Sequence, residues 1–200
     1  MHNFYKLFAS LALTGLLAAC SDGGGPPSST TPAPVTSTPP IVQSGAARFA
    51  YAANADDNTL SIYTVNASTG QLRHNGYVAT ESKPVSAAVD PSGKFVYVAN
   101  ESSSTVSVYA INRRTGALTA GAVVTAGSSP QSVTVAPNGK FAYVANKGSN
   151  NVSAYTINQS TGALTGGTAV ATGNSPQSVT VDPRGKFAYV ANAGSNNVSV

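Results

Sequence analysis

The sequence predicts an all-β fold that repeats one four-stranded unit. Two observations support this prediction: most of the chain copies itself with a 46-residue period, and its composition favours strands and turns over helices. The segments 94–139 and 140–185 are identical at 29 of their 46 positions. Only 9% of the residues are charged, and no helical hydrophobic periodicity follows the N-terminus. We therefore expect strands and hairpins throughout the repeated region.

The N-terminus has the pattern of a secretory signal. An apolar run from Leu7 to Ala19 is shorter than the roughly 20 residues that a bilayer-spanning helix needs. The residues Leu17-Ala18-Ala19-Cys20 resemble the lipobox of bacterial lipoproteins. This resemblance implies that residues 1–19 are a lipoprotein signal peptide and that Cys20 is the lipidation site. An ordinary signal peptide with a chance cysteine is the alternative.

Localisation is expected from the same resemblance. Ser21 follows the cysteine, which in lipoproteins favours passage to the outer membrane. We expect a lipid-anchored protein of the bacterial cell envelope, on the periplasmic or the surface side of the outer membrane. Membrane affinity would come from the acyl chains, at roughly 0.8 kcal/mol per buried methylene.

Residues 20–47 are rich in Pro, Ser, Thr and Gly. Such a segment cannot bury enough apolar surface to offset the entropy lost on ordering, so we predict a tether. In an extended polyproline-like conformation, at about 3.1 Å per residue, residues 21–44 would reach roughly 70 Å. A ligand for a proline-recognising domain is the alternative.

Each repeat is expected to contain four strands. In the third copy these are 131–136, 141–146, 152–157 and 164–171. The first two strands are joined by Pro137-Asn138-Gly139-Lys140, and the neighbouring copies have Asp-Pro-x-Gly, which favours a type I turn. Gly70, Gly116 and Gly162 recur in the second hairpin, where a residue with positive φ is needed.

The strand FAYVAN is apolar on both faces, so both faces must be covered. Four-stranded antiparallel sheets that cover one another and repeat every 40 to 50 residues are the blades of a β-propeller. Phe141, Tyr143 and Tyr155 are expected to pack between blades. A platform that stacks sugars on these rings is the alternative.

A family resemblance supports the propeller. The block SPQSVTVDPRGKFAYVANAGSNNVSV, with the TGALT of the other copies, resembles the YVTN-repeat propellers and the related seven-bladed β-propeller lactonases, which include 6-phosphogluconolactonases. The resemblance covers roughly 150 residues, although this chain has Ala where the name motif has Thr. It implies the fold; none of the matched residues is a catalytic signature, so the catalytic residues stay unknown.

The number of blades is expected to exceed what this chain supplies. The repeats are 48–93, 94–139, 140–185 and a partial copy, 186–200. About three and a third repeats cannot close a ring, and seven blades of this period take roughly 320 residues. Residues 48–200 are therefore predicted to be part of a seven-bladed propeller and a fragment of a longer protein. Closure by several chains is the alternative.

The loops are expected to separate onto two faces if the Pro-Gln-Ser-Val strands are innermost. One, the acidic face, carries two cations and four carboxylates, for a net charge of −2. The other, the basic face, carries eight cations and two carboxylates, for a net charge of +6, either as solvated charges or as an anion-binding surface. The acidic face holds the ligand candidates, Asp56, Asp57, Glu81, Lys83, Glu101 and Lys147. The basic face holds Arg48, Arg73, Lys94, Arg113, Arg114, Lys140, Arg184 and Lys186, with Asp90 and Asp182.

Few residues suit enzymatic chemistry. His74, on an outer strand, is expected to be an ordinary surface residue, and Asp56-Asp57-Asn58 supplies too few oxygens for calcium. Glu81 or Glu101 would serve as a general base only if the fold brought one of them to the channel. No cofactor, metal site or nucleic-acid partner is expected, since basic residues are scattered and the only cysteine is Cys20.

Two functions remain open. The first is a binding or scaffold module at the envelope, which contacts an envelope protein or a small carbohydrate or lactone. The second, implied by the family resemblance, is a lactone hydrolase, a carboxylic ester hydrolase, that acts at the propeller channel. Whether the protein is an enzyme is undecided at this level, because a fold does not determine a function.

The lipid anchor predicts the behaviour of one variant. Cys20→Ala is expected to release the protein in soluble form, because the acyl chains supply the membrane affinity. Fractionation of cells into soluble and membrane material measures this release. A variant that still fractionates with membranes would disprove the anchor.

Overall fold

The computed structural model describes residues 48–200, and every regular element in this range is a β-strand. Within it, no helix is long and apolar enough to cross a membrane. The predicted signal peptide, Cys20 and tether lie outside the described residues. The strands are β1 (Phe49–Asn54), β2 (Thr59–Val65), β3 (Leu72–Ala79), β4 (Pro84–Val89), β5 (Phe95–Asn100), β6 (Thr105–Ile111), β7 (Leu118–Thr125), β8 (Pro130–Val135), β9 (Phe141–Asn146), β10 (Asn151–Ile157), β11 (Leu164–Ala171), β12 (Pro176–Val181), β13 (Ala188–Asn192) and β14 (Asn197–Ser199).

The strands form four antiparallel sheets in chain order. Blade 1 is β1-β2-β3, blade 2 is β4-β5-β6-β7, blade 3 is β8-β9-β10-β11, and blade 4 is β12-β13-β14. The predicted all-β propeller with four-stranded antiparallel blades is confirmed, and the predicted strands of the third repeat agree with β8 to β11 within one residue. A complete blade begins at Pro84 or Pro130, so the repeat boundaries at 94 and 140 fall inside blades, just before the second strand.

The hairpin turn between the first two strands of a blade is fixed by a carboxylate. In blade 2 the Asp90 carboxylate accepts the backbone N–H groups of Ser92, Lys94 and Phe95 at 2.8 to 3.1 Å. Asp182 accepts the corresponding N–H groups in blade 4. Each of these carboxylates therefore satisfies donors that the turn leaves free.

The first strands of blades 2, 3 and 4 lie side by side at the edge of each sheet. The Val133 N–H donates to the Ser86 hydroxyl at 3.1 Å, and the Val179 N–H donates to the Ser132 hydroxyl at 3.3 Å. These bonds join β4 to β8 and β8 to β12, three strands that each begin with a buried proline. The expectation that the Pro-Gln-Ser-Val strands are innermost is confirmed by these contacts.

Both faces of the second strand are covered, as its apolar sequence requires. Val96 and Tyr97 point to opposite faces of β5, and each is 0% exposed. Val96 packs in a cluster with Leu60 of blade 1. Tyr97 belongs to the cluster that includes Val144 of blade 3. Each blade is thus buried by its neighbours instead of by a separate core.

Aromatic side chains make the specific contacts between blades. The Tyr97 hydroxyl donates to the Gly162 carbonyl oxygen of the next blade at 3.1 Å, and Tyr51 makes the same bond to Gly116. In the opposite direction, the Tyr155 hydroxyl donates to the Thr125 carbonyl oxygen of the preceding blade at 2.7 Å. The predicted packing between blades is therefore confirmed for Tyr155, and Tyr143 packs on a cluster that includes Val179 of blade 4. It is not confirmed for Phe141, whose side chain is 39% exposed.

The recurring hairpin glycine has a second role that its φ angle does not reveal. A Cβ placed on Gly162 would lie 2.4 Å from the Phe95 ring of the preceding blade, and one on Gly116 would lie 2.3 Å from Phe49. Gly70 also has positive φ, but nothing lies within 4 Å of such a Cβ. The absence of a side chain is what lets the ring reach the turn.

Gly162→Ala is expected to destabilise the protein more than Gly70→Ala. Both glycines have positive φ, 76° and 72°, so each substitution costs about 1–2 kcal/mol in backbone strain. Only Gly162→Ala also forces a methyl group into the Phe95 ring, which adds about 1–3 kcal/mol. The free energy of unfolding in urea measures both. The excess should shrink in a Phe95→Leu background, and equal losses at the two glycines would contradict the contact.

Candidate functional site

The predicted ligand residues occupy loops at one end of the strands. Lys83 directly precedes β4 and Glu101 directly follows β5, and the antiparallel register pairs Pro84 with Asn100. Lys83 and Glu101 are therefore opposite each other at the end of this ladder. Lys147 holds the position of Glu101 in blade 3, directly after β9. Lys83, Glu101 and Lys147, which were predicted to share the acidic face, therefore lie at the same end of the sheets.

An ion pair lies at the centre of this face. Lys83 Nζ is 2.8 Å from Glu101 Oε2, and the Glu101 backbone N–H donates to the Lys83 carbonyl oxygen at 2.8 Å. The Lys83 N–H donates in turn to Asn58 Oδ1 in blade 1, at 2.7 Å. It is the one ion pair found within residues 48–200. The loops of blades 1 and 2 are consequently held together at this point.

The ion pair changes the pKa of both partners. The hydrogen bond from Lys83 holds the pKa of Glu101 below its ordinary value, and Gln131 and Lys147 of blade 3 act in the same direction. The bond to Glu101 raises the pKa of Lys83, to which the nearby charge of Asp56 contributes. Glu101 is therefore ionised at neutral pH, and it is influenced by groups on the next blade.

The backbone at Lys83 is unusual for its residue type. Lys83 has φ of 57°, in the left-handed region, where Ser129 and Ser175 occupy the equivalent positions of blades 3 and 4. Residues without glycine's freedom are held in such conformations only by their surroundings, here the bond to Asn58. Blades 3 and 4 have serine at this position, so lysine here is a departure from the repeat. The backbone conformation of Lys83 fixes the point from which its side chain extends to Glu101.

The acidic candidates of blade 1 lie beside the ion pair without forming a metal site. Asp56 and Asp57 are exposed in the turn after β1, and the oxygen of Asn58 is already engaged by Lys83. Among the residues that the structure describes, no three His, Cys, Asp or Glu side chains are grouped as metal ligands would be. Asp56 acts on the ion pair through its charge.

Glu81 lies at the edge of the site, and His74 lies outside it. Glu81 is exposed in the loop before β4; the pKa of Tyr109 is raised chiefly by burial and also by the charge of Glu81. His74 is exposed on the outer strand β3, with its ring between Tyr63 and Tyr77 at 5.6 and 4.4 Å. The histidine is thus part of a surface aromatic cluster, away from the ion pair.

Two residues of the site were not among the predicted ligand candidates: Asn58, which was considered only as a weak oxygen donor for calcium, and Gln131. Asn58 orients Lys83, and Gln131 influences Glu101 from the neighbouring blade. Asn58 carried a signal, since an asparagine at the end of a tight loop commonly takes positive φ, and its φ is 53°. No signal in the sequence pointed to Gln131, because Pro-Gln-Ser-Val belongs to the structural repeat. Only the packing of blade 3 on blade 2 shows that Gln131 lies near Glu101.

The recurring motif asparagine is structural. Asn100 and Asn146 are 0% exposed, and each donates from Nδ2 across the hairpin to a serine hydroxyl, Ser107 or Ser153, at 2.9 Å. Asn146 also packs on the backbone of Gly127, where a Cβ would lie 2.7 Å from the amide. These asparagines are the last residues of β5 and β9, and they lie directly before the acidic-face loops. The residues left to contact a ligand are those that differ between copies.

The comparisons with known proteins agree with this architecture. The family model described as lactonase, 7-bladed β-propeller, matches residues 28–134 and 119–200. No curated protein sequence matches the chain significantly.

Solved structures share the fold. They include a proposed 6-phosphogluconolactonase from Bacteroides uniformis, with 21% identity over 76% of this chain and a TM-score of 0.69. A second, from Bacteroides fragilis, has 22% identity over 76% of this chain and a TM-score of 0.67. The periplasmic gluconolactonase of Pseudomonas aeruginosa has 20% identity, also over 76% of this chain, and a TM-score of 0.68. The chain spans 46% of the length of each of these three proteins.

Glu101→Gln is expected to lower stability at neutral pH and to matter less in acid. The pKa of Glu101 is depressed below its ordinary value of 4.5, so its charge stabilises the folded state at pH above that value. This stabilisation is lost as the pH falls through the depressed pKa. Urea unfolding at several pH values measures the difference from the unmodified protein. Glu81→Gln, outside the ion pair, is the control; a difference for Glu101→Gln that does not change with pH would contradict the prediction.

Proposed function

Because the chain belongs to the seven-bladed β-propeller lactonase family, we propose that it is an envelope-anchored propeller that binds a polyhydroxylated ligand on its acidic face. The observation that carries the proposal is the Lys83–Glu101 ion pair, which fixes a charged group at the end of the inner strands. The ligand class is a carbohydrate or a sugar-derived lactone.

The chemistry of the acidic face suits such a ligand. The Glu101 carboxylate accepts hydrogen bonds from hydroxyl groups, and its side chain is 19% exposed beside Lys83. Lys147 is exposed and has no ion-pair partner within residues 48–200, so its ammonium group can donate to ligand oxygens. Because Lys83 already holds the Glu101 carboxylate in place, less side-chain entropy is lost when this carboxylate binds a ligand.

Ligand binding is favoured over proton abstraction by the state of Glu101. A general base works best when its pKa is near the operating pH. The hydrogen bond from Lys83 shifts the pKa of Glu101 in the opposite direction, downwards. The carboxylate is therefore a good permanent acceptor and a weak base.

Lactone hydrolysis is the second candidate function, and the family match is the observation that favours it. In this reaction Glu101 would take a proton from water as the water attacks the lactone carbonyl carbon. The tetrahedral intermediate would then collapse with cleavage of the ring C–O bond, and the ring oxygen would leave as a hydroxyl group that takes the proton back from Glu101. Lys147 would stabilise the negative charge that develops on the carbonyl oxygen. The gluconolactonase of Pseudomonas aeruginosa shares this fold, and for this candidate function we therefore propose a sugar lactone as the substrate class.

Attachment to the envelope is proposed from the N-terminal sequence. Cys20 would carry the lipid, and residues 20–47 would serve as the tether to the propeller. Outer-membrane localisation is proposed on the same basis. Such a position favours binding over intracellular sugar-phosphate metabolism, for which the envelope offers no evident supply of substrate.

Titration calorimetry with a panel of sugars and sugar-acid lactones tests the proposal. The lipidated protein in detergent is expected to bind a member of the panel, and Glu101→Gln is expected to weaken binding about tenfold or more, because a charged hydrogen bond is lost. Lys94→Gln, on the basic face, is the matched control and should bind as the unmodified protein does. The same samples are assayed for acid release from lactones.

The outcomes separate the two candidates. Binding that depends on Glu101 without lactone opening supports the binding module. Lactone opening that falls roughly 10²- to 10⁴-fold in Glu101→Gln supports the hydrolase instead. Binding that is equally weakened by Glu101→Gln and Lys94→Gln, or no binding by any member, overturns the acidic-face site.

A further inference from the structure

We propose that the basic face docks onto an anionic lipid bilayer, so that the propeller lies on the membrane with its acidic face turned away. The surface charge and the point where the chain enters the fold are independent observations that support this. The orientation rests on the anchoring proposed above, whereas the affinity for lipid belongs to the folded residues themselves.

The basic face presents cations that form no ion pair within residues 48–200. All eight of its lysine and arginine side chains are exposed, and none of them is in an ion pair within that range. Its two carboxylates, Asp90 and Asp182, are engaged by backbone N–H groups of their own turns. These carboxylates are therefore held in place by their own turns. The charge of Lys186 contributes to the lowered pKa of Asp182, and the net charge of +6 already includes both carboxylates.

The lysines of this face are placed regularly by the fold. Lys94, Lys140 and Lys186 each close the turn before the second strand of a blade. Their backbone N–H groups donate to Asp90, Asn138 and Asp182, at 2.6 to 2.9 Å. The three lysines therefore occupy the same backbone position in consecutive blades, on one face of the propeller. A row of point charges of this kind suits an extended array of phosphate groups better than a single small ligand.

The chain enters the propeller on this same face. The Val65 N–H donates to the Arg48 carbonyl oxygen at 2.8 Å, so Arg48 lies at the end where β2 finishes and the basic-face turns begin. Arg48 is exposed, with its guanidinium 5.8 Å from the centre of the Phe49 ring. The predicted tether would therefore join the propeller on the basic face, and its length of roughly 70 Å would let this face rest on the membrane.

An anionic bilayer is the partner that fits both observations. Lipid phosphates supply negative charge over a plane, which matches cations carried by three consecutive blades. A cavity of about 410 Å³, lined by Asp90, Lys94, Asn138 and Gln159, lies between two of these turns and could admit a single small anion, so the test must separate the two ligands. Each basic residue close to such a bilayer increases the partition coefficient roughly fivefold. The attraction is screened as the Debye length falls to about 10 Å near 0.1 M salt. The interaction is thus expected to be electrostatic, reversible and sensitive to salt.

Vesicle sedimentation tests the inference. The mature chain from residue 20, with Cys20→Ala so that no acyl group contributes, is mixed with vesicles of phosphatidylcholine alone or of phosphatidylcholine with phosphatidylglycerol. We expect binding to the anionic vesicles at low salt. The triple variant Lys94→Gln, Lys140→Gln, Lys186→Gln should bind about a hundredfold more weakly. The double variant Lys83→Gln, Lys147→Gln, on the acidic face, is the control and should bind like its parent.

Each result has a defined meaning. Preference for phosphatidylglycerol that is lost in the triple variant and kept in the double variant supports docking through the basic face. Equal binding to both vesicle types, no binding, or equal losses in the two variants would overturn it. Displacement by inorganic phosphate at matched ionic strength would also overturn it, because a small-anion site would then explain the binding. Urea unfolding of both variants verifies that they fold, and none of these outcomes bears on the lipid anchor or on the acidic-face ligand.

Discussion

The contact between consecutive blades is the interaction on which the rest of this structure depends. The second strand of a blade is apolar on both faces, so a single sheet cannot be stable in water. The ring of Phe95 lies against the bare backbone of Gly162 in the next blade, and the Tyr97 hydroxyl donates to the carbonyl oxygen of the same glycine. One glycine thus serves the hairpin of its own blade and the packing of the preceding one. Because Phe49, Tyr51 and Gly116 repeat this arrangement, each sheet is added to the fold in the same orientation.

A fold built in this way separates structural residues from residues that are free to vary. The buried motif asparagines and the turn aspartates satisfy backbone and side-chain polar groups at the two ends of the sheets. In the loops beyond these positions the recurring bonds join backbone N–H groups to Asn and Ser side chains, so the charged residues at other positions can differ from one blade to the next. Lys83, Glu101 and Lys147 are such differences, and they lie on one face because antiparallel strands return to the same end every second turn.

The two faces have complementary consequences for function. The acidic face holds an ionised carboxylate in a fixed position, which suits recognition of hydroxyl groups. The basic face carries the point of chain entry and a row of lysines. A propeller tethered through the basic face would present the acidic face to the surrounding compartment. Membership of the lactonase family supplies the fold for this arrangement, and a fold does not by itself determine whether a face of this kind binds a ligand or hydrolyses one.

The sequence by itself determined the repeat, the strands and the separation of charge, because these depend on local patterns: apolar runs, Asp-Pro-x-Gly turns and a constant period. It placed the strands of the third repeat within one residue of β8 to β11. The period by itself did not mark where a blade begins, since a strict period is unchanged when its starting point moves; the interpretation of Pro-Gln-Ser-Val as the innermost strand did, and the contacts of β4, β8 and β12 confirm it. The sequence did not determine the Lys83–Glu101 ion pair, the influence of Gln131 on Glu101, or the contact of Gly162 with Phe95. These are decided by the register of β4 on β5 and by the packing of one blade on the next, which bring together residues that are 18 to 67 positions apart in the chain.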